Sequence, residues 1–68
     1  MKKIKLETET IQLDQFMKWI NLVKSGGQAK IEIKAGKVMV NGEIEKRRSK
    51  KIKPGDIITY QEKEYKII

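Results

Sequence analysis

The 68 residues include no cysteine and no histidine. The first absence excludes disulfides, thiolate nucleophiles and cysteine metal sites. The second removes the commonest metal ligand and the commonest general base. No apolar run approaches the roughly 20 residues needed to cross a bilayer. The opening stretch, Met1-Lys2-Lys3-Ile4-Lys5-Leu6-Glu7, is charged from the start and lacks the apolar core of a signal peptide. There is no internal repeat, low-complexity linker or composition break. Asp14, Asp56 and the glutamates form no recognisable metal or acid–base set. Catalysis is therefore the weakest reading, and no cofactor, metal or small-molecule substrate is expected. The expectation is a single domain, monomeric, in the cytoplasm and without membrane contact.

What the chain has is positive charge. Sixteen Lys and Arg stand against nine Asp and Glu, a net charge of +7. The 38% hydrophobic share supports a folded core. A chain of this size buries only about 60% of the surface its unfolded form exposes, which leaves little room for a deep cleft. The charge is also concentrated. Lys46-Arg47-Arg48-Ser49-Lys50-Lys51-Ile52-Lys53 carries six cationic residues in eight. This run leaves Val38-Met39-Val40-Asn41-Gly42 and re-enters at Lys53-Pro54-Gly55-Asp56, so its charge is held in a fixed place. Fixed positive charge suits a polyanion, and composition alone leaves DNA, RNA and anionic lipid open.

Periodicity gives the order of elements. Lys3-Ile4-Lys5-Leu6-Glu7 alternates and reads as a short strand. Leu13, Phe16, Met17 and Ile20 form the stripe of an amphipathic helix, widened by Trp19, Leu22 and Val23. That helix is expected to run to about Val23, because Ser25-Gly26-Gly27 follows. A second helix is expected from about Gln28 to Ala35, with Ala29 and Ile33 facing the first and Gly36 as its stop. Lys37–Val40 and Glu43–Glu45 read as strands joined by the Asn41-Gly42 hairpin turn. Pro54-Gly55-Asp56 is a turn, and Ile57–Tyr60 and Tyr65–Ile68 form a final pair across residues 61–64. The predicted class is α+β, two packed helices against a small, largely antiparallel sheet.

These residues also carry a resemblance. Leu13-Asp14-Gln15-Phe16-Met17-Lys18, Ser25-Gly26-Gly27-Gln28-Ala29-Lys30, Ile33, Gly36, Val38, Val40-Asn41-Gly42 and Gly55-Asp56 follow in register. Together they resemble the RNA-binding domain named after ribosomal small-subunit protein S-four, the αL motif. The resemblance covers about residues 12–59. Lys18-Trp19, Ser25-Gly26-Gly27, Ala29-Lys30 and Asn41-Gly42-Glu43 with Glu45 and Arg47-Arg48 are similar to the small stand-alone bacterial members of the YaaA or RlbA type. The family implies RNA binding through the two-helix face and adjoining loops, and the subfamily implies a role in ribosome maturation. Two positions depart from the family pattern. Gln12 and Gly26 stand where the family usually has arginine, with Lys24 as a substitute for the missing charge.

The candidate RNA-binding residues are Gln12, Lys18, Lys24, Ser25, Gly26, Gly27, Gln28, Lys30, Lys34, Lys46, Arg47, Arg48, Lys50 and Lys51. Ser25-Gly26-Gly27 leads into a helix start that suits a phosphate, or is plain helix punctuation. Lys24, Lys30 and Lys34 form a phosphate-positioning strip or a solvated helix face. In the run, Arg47 and Arg48 are favoured for planar contacts; the bland reading is edge protection. Trp19 is expected to pack, with stacking on a base as the alternative. Asp56 is expected to bond backbone N–H groups in its turn. The leading function is non-catalytic binding of structured ribosomal RNA. The alternative is a module that docks on a ribosomal protein or assembly factor.

Overall fold

The computed structural model describes residues 1–68. Its elements are β1 (Lys2–Ile4), β2 (Ile11–Gln12), α1 (Leu13–Trp19), α2 (Gly26–Lys34), β3 (Val38–Val40), β4 (Glu43–Ile44), β5 (Lys51–Ile52), β6 (Ile57–Tyr60) and β7 (Lys63–Ile67). Five strands form one sheet in the order β1-β7-β6-β3-β4, and β2 with β5 forms a separate two-stranded ladder. The pairs β7–β6, β6–β3 and β3–β4 are antiparallel, and β1 lies parallel to β7.

Alternation along the strands selects the core face. Val38, Val40, Ile58, Tyr60, Tyr65 and Ile67 are buried, while Met39, Ile57 and Thr59 between them are only half-buried. Leu13, Phe16 and Met17 of α1 and Ala29 and Ile33 of α2 complete this core with no exposed surface. The helical stripe and the strand alternation therefore meet in one cluster with Leu6, Val23 and Ile52.

Both helices end in the same device. In α1 the N–H of Asn21 bonds to Lys18 O and that of Leu22 to Met17 O, with Asn21 at φ 63°. In α2 the N–H of Gly36 bonds to Ile33 O and that of Lys37 to Glu32 O, with Gly36 at φ 77°. Each is a Schellman ending, which needs one left-handed residue. Glycine signals the second. Asn21 supplies the first, so α1 stops at Trp19 rather than running to Val23. Val23 is still buried, delivered from the loop rather than from the helix.

Three further expectations are revised. α2 begins at Gly26 rather than Gln28, because Ser25 is its N-cap. The first strand spans Lys2–Ile4 rather than Lys3–Glu7. The last connection is a two-residue turn rather than four residues: Tyr60 pairs with Lys63 across Gln61 (φ 52°) and Glu62 (φ 64°). Such a turn needs left-handed backbone at both positions, and Gln-Glu gives no glycine signal for it.

A polar junction ties the sheet turns together. Asn41 Nδ2 donates to Asp56 Oδ1 (3.0 Å), and Asn41 Oδ1 accepts from the Ile57 N–H (2.9 Å). Asp56 Oδ2 accepts from the Lys53 N–H (2.9 Å), as expected of a turn aspartate. Burial raises the Asp56 carboxyl, but the bonds from Asn41 and the Lys53 N–H, with the charges of Lys53 and Lys50, outweigh it and hold the group below its usual range.

Candidate nucleic-acid interface

The basic run is bound to the start of α1. The N–H of Leu13 donates to Lys50 O (2.8 Å) and that of Asp14 to Arg48 O (3.1 Å). The run thus supplies carbonyl partners to the orphan N–H groups at the start of α1. A two-residue ladder continues the seam, pairing Gln12 with Lys51 and Ile11 with Ile52. At the other helix, a Cβ on Gly36 would lie 3.7 Å from the Lys46 side chain. The aliphatic stem of Lys46 therefore passes close to Gly36, just beyond the end of α2. Residues 46–51 thus pass from the neighbourhood of Gly36 to the N-terminal end of α1, where they are bonded.

This arrangement separates the cations of the run. Arg47 is engaged by Glu45: its Nε donates to Oε2 (3.0 Å), its Nη2 to Oε1 (3.4 Å) and its backbone N–H to Oε2 (3.2 Å). The Arg47 hydrogen bonds hold Glu45 below the usual carboxylate range. Lys46, Arg48, Lys50 and Lys51 make no ion pair. Arg48 and Lys51 are exposed, and Lys50 is half-buried. Sequence spacing treats Arg47 and Arg48 as equals; the structure leaves only Arg48 uncompensated.

On the helices, Gln12, Lys18, Lys24, Lys30 and Lys34 are all exposed, and none of the four lysines is ion-paired. Gln12 lies directly across from Lys51, so a cation stands beside the position where the family pattern has arginine. The interhelical turn is a variant of the capping box. Ser25 Oγ accepts from the Gln28 N–H (3.1 Å), and Gln28 Oε1 accepts from the Lys24 N–H (2.9 Å). Helix capping thus accounts for both side chains. Gly26 and Gly27 are exposed beside them, and a Cβ on Gly26 would meet nothing within 4 Å.

Two features absent from the sequence reading fix this surface. One is the β2–β5 ladder, too short to leave a periodic signal. The other is the bond from Tyr60, a residue expected to pack on the terminal hairpin, whose hydroxyl donates to Glu32 Oε1 (2.6 Å) while Lys37 Nζ lies 3.4 Å from Oε2. This bond ties the C-terminal half of α2 to the sheet. The bond to Glu32, then burial, pushes the Tyr60 phenol up to about 12. A hollow of about 690 Å³ opens at the opposite sheet edge among Lys2, Ile4, Ile20, Glu62, Lys63 and Glu64. Its charges are mixed, and it lies at the β1 end of the sheet order, opposite β4, which leads into the run.

Comparison with known proteins agrees with this architecture. Residues 4–68 match the S4 domain family. The chain belongs to the S4 domain family. It is 40% identical over 55 residues to the probable ribosome maturation protein RlbA of Bacillus subtilis, covering 81% of this chain and 78% of that one. Among solved structures it is similar to YbcJ from E. coli, described as having an αL motif involved in RNA binding: 29% identity, TM-score 0.72, covering all of this chain and 87% of that one. It is also similar to trimeric heat shock protein 15 of Vibrio cholerae, at 27% identity and TM-score 0.71, covering 81% of this chain and 55% of that one. This S4 domain has the two packed helices of the αL motif and a mixed, mostly antiparallel sheet. No helix in it is long and apolar enough to cross a membrane.

Proposed function

We propose that this S4-family chain is a non-catalytic, monomeric RNA-binding domain, residues 1–68, that engages structured ribosomal RNA in the cytoplasm during ribosome maturation. One observation carries the reading. The main chain of residues 48–50 is moored to the start of α1, while the cationic side chains of Lys46, Arg48 and Lys51 make no ion pair and Lys50 makes none at close range. With Lys30 and Lys34 they supply charge for about six phosphate contacts. Phosphate contacts position RNA without reading its sequence, so selectivity comes from the shape of the RNA. The names of RlbA and YbcJ, a ribosome maturation protein and a carrier of an RNA-binding motif, support the same reading.

The test is filter binding to ribosomal RNA fragments across a salt series. About six phosphate contacts lower affinity by on the order of a thousandfold between about 50 and 200 mM salt. A flat salt response, or equal affinity for polyphosphate and folded ribosomal RNA, refutes the reading.

A further inference from the structure

The basic run accounts for phosphate but not for the one tryptophan. Trp19 is the last residue of α1 and is 44% exposed, although its position in the apolar stripe predicts packing. Its ring is held on one side by the fully buried Phe16, with centroids 6.4 Å apart and planes tilted by 60°. Beside it lies a groove of about 150 Å³, lined by Leu6, Glu7, Thr8, Ile11 and Trp19. Thr8 Oγ1 donates to Thr10 O (2.7 Å), which braces the loop containing Thr8.

The dimensions and chemistry of this groove choose its occupant. At about 150 Å³ it is on the scale of one planar ring rather than a protein helix. Its apolar members, Leu6, Ile11 and the indole, suit a π-face. Its one charged member, Glu7, is a carboxylate that repels phosphate and accepts hydrogen bonds from exocyclic amines, as found on cytosine, adenine and guanine. The groove also lies within reach of the phosphate surface. Seven helical residues rise about 10 Å, the distance from the Gln12–Lys51 pair to Trp19. A strand whose phosphates rest on the run can place one unpaired base at this groove.

We propose that Trp19, with Leu6, Ile11 and Glu7, forms a stacking site for one unpaired, amine-bearing RNA base. The site rests on the RNA-binding reading above and adds base contact to it.

Because the chain has a single tryptophan, intrinsic emission reports this site directly. The native chain is titrated with short single-stranded oligocytidine, oligouridine, an RNA duplex of equal length and polyphosphate, while anisotropy of labelled ligand follows binding separately. The expected result is quenching by oligocytidine, weaker quenching by oligouridine and none by bound duplex or polyphosphate. Trp19→Leu is expected to weaken oligocytidine binding roughly 5- to 150-fold, the usual worth of one base–aromatic stack, with polyphosphate binding unchanged. Trp19→Phe restores part of the loss. RNA binding without quenching, or equal quenching by polyphosphate, overturns the site and leaves the RNA reading intact. An emission shift from an apolar peptide with none from RNA overturns it in favour of a protein partner. Absence of binding to any RNA overturns both.

Discussion

Two polar clusters anchor the segments that follow β3, and they use opposite parts of their residues. At the Asn41–Asp56 junction the side chains do the joining: both Asn41 atoms and both Asp56 oxygens are bonded within the protein. In the basic run the main chain does the joining, through the carbonyls of Arg48 and Lys50. Its side chains are largely left over. Polar residues whose side chains are consumed by the fold explain stability. Polar residues whose side chains are spared, on a backbone that is fixed, leave charge on the surface without a role in the fold. Arg47 shows the difference within one segment, because Glu45 consumes it while its neighbour Arg48 remains uncompensated.

The sharpest way to break this comparison is to reverse the spared charges. At about 0.1 M salt each phosphate contact is worth roughly tenfold in affinity. Combining Arg48→Glu and Lys51→Glu, the two exposed cations of the segment, is expected to lower RNA affinity on the order of a hundredfold. The melting temperature should hardly move, because the mooring is main-chain. Unfolding of this variant would show that the side chains do carry the fold.

The converse change comes next in size. Asp56→Ala leaves Asn41 Nδ2 and the Lys53 N–H without their partner, a loss of about 1–3 kcal/mol. Urea denaturation should show this loss, while RNA affinity under folding conditions stays near that of the native chain.

Tyr60 sharpens the comparison through pH. Its folded pKa is raised from 10.0 to about 12. A group raised in this way gives stability that is fully present below about pH 10 and is lost as pH rises through about 12. Thermal melts across that window should fall in the native chain and fall less in Tyr60→Phe. Equal declines would mean that the Tyr60–Glu32 bond contributes nothing.

The smallest expected effect is at Arg47. Since Glu45 already holds its guanidinium, Arg47→Ala should change RNA affinity less than about threefold, in line with the small worth of exposed ion pairs. In the same titration, Glu45→Gln should raise affinity by freeing Arg47. A loss at Arg47 as large as that from Arg48→Ala would erase the distinction between consumed and spared cations.

Legibility in the sequence followed the range of each interaction. Asn41-Gly42 announced its hairpin because the turn itself requires left-handed backbone, and Leu13, Phe16 and Met17 announced a buried helix face by their spacing. Ser25 was legible as part of a turn, but its role as N-cap appears only with the Gln28 bond. The end of α1 is hidden in the sequence because Ile20, Leu22 and Val23 keep the stripe apolar beyond the Schellman ending at Asn21. The β2–β5 ladder and the parallel β1–β7 pair are matters of tertiary register that local pattern does not encode. At the site, the density of charge between Lys46 and Lys53 was visible from composition. Which cations are uncompensated depends on Glu45 folding back two positions outside any regular element. The exposure of Trp19 could not be read from its stripe, because only packing decides how far a stripe is covered.

The mooring of residues 48 and 50 has a further consequence for how such a chain can change. Every amino acid carries a carbonyl, so the bonds from Leu13 and Asp14 survive almost any replacement at those two positions. The charge of the segment can be rewritten step by step without first solving the fold again. The αL scaffold holds these positions as an exchangeable cassette whose chemistry is free to drift while its geometry is inherited.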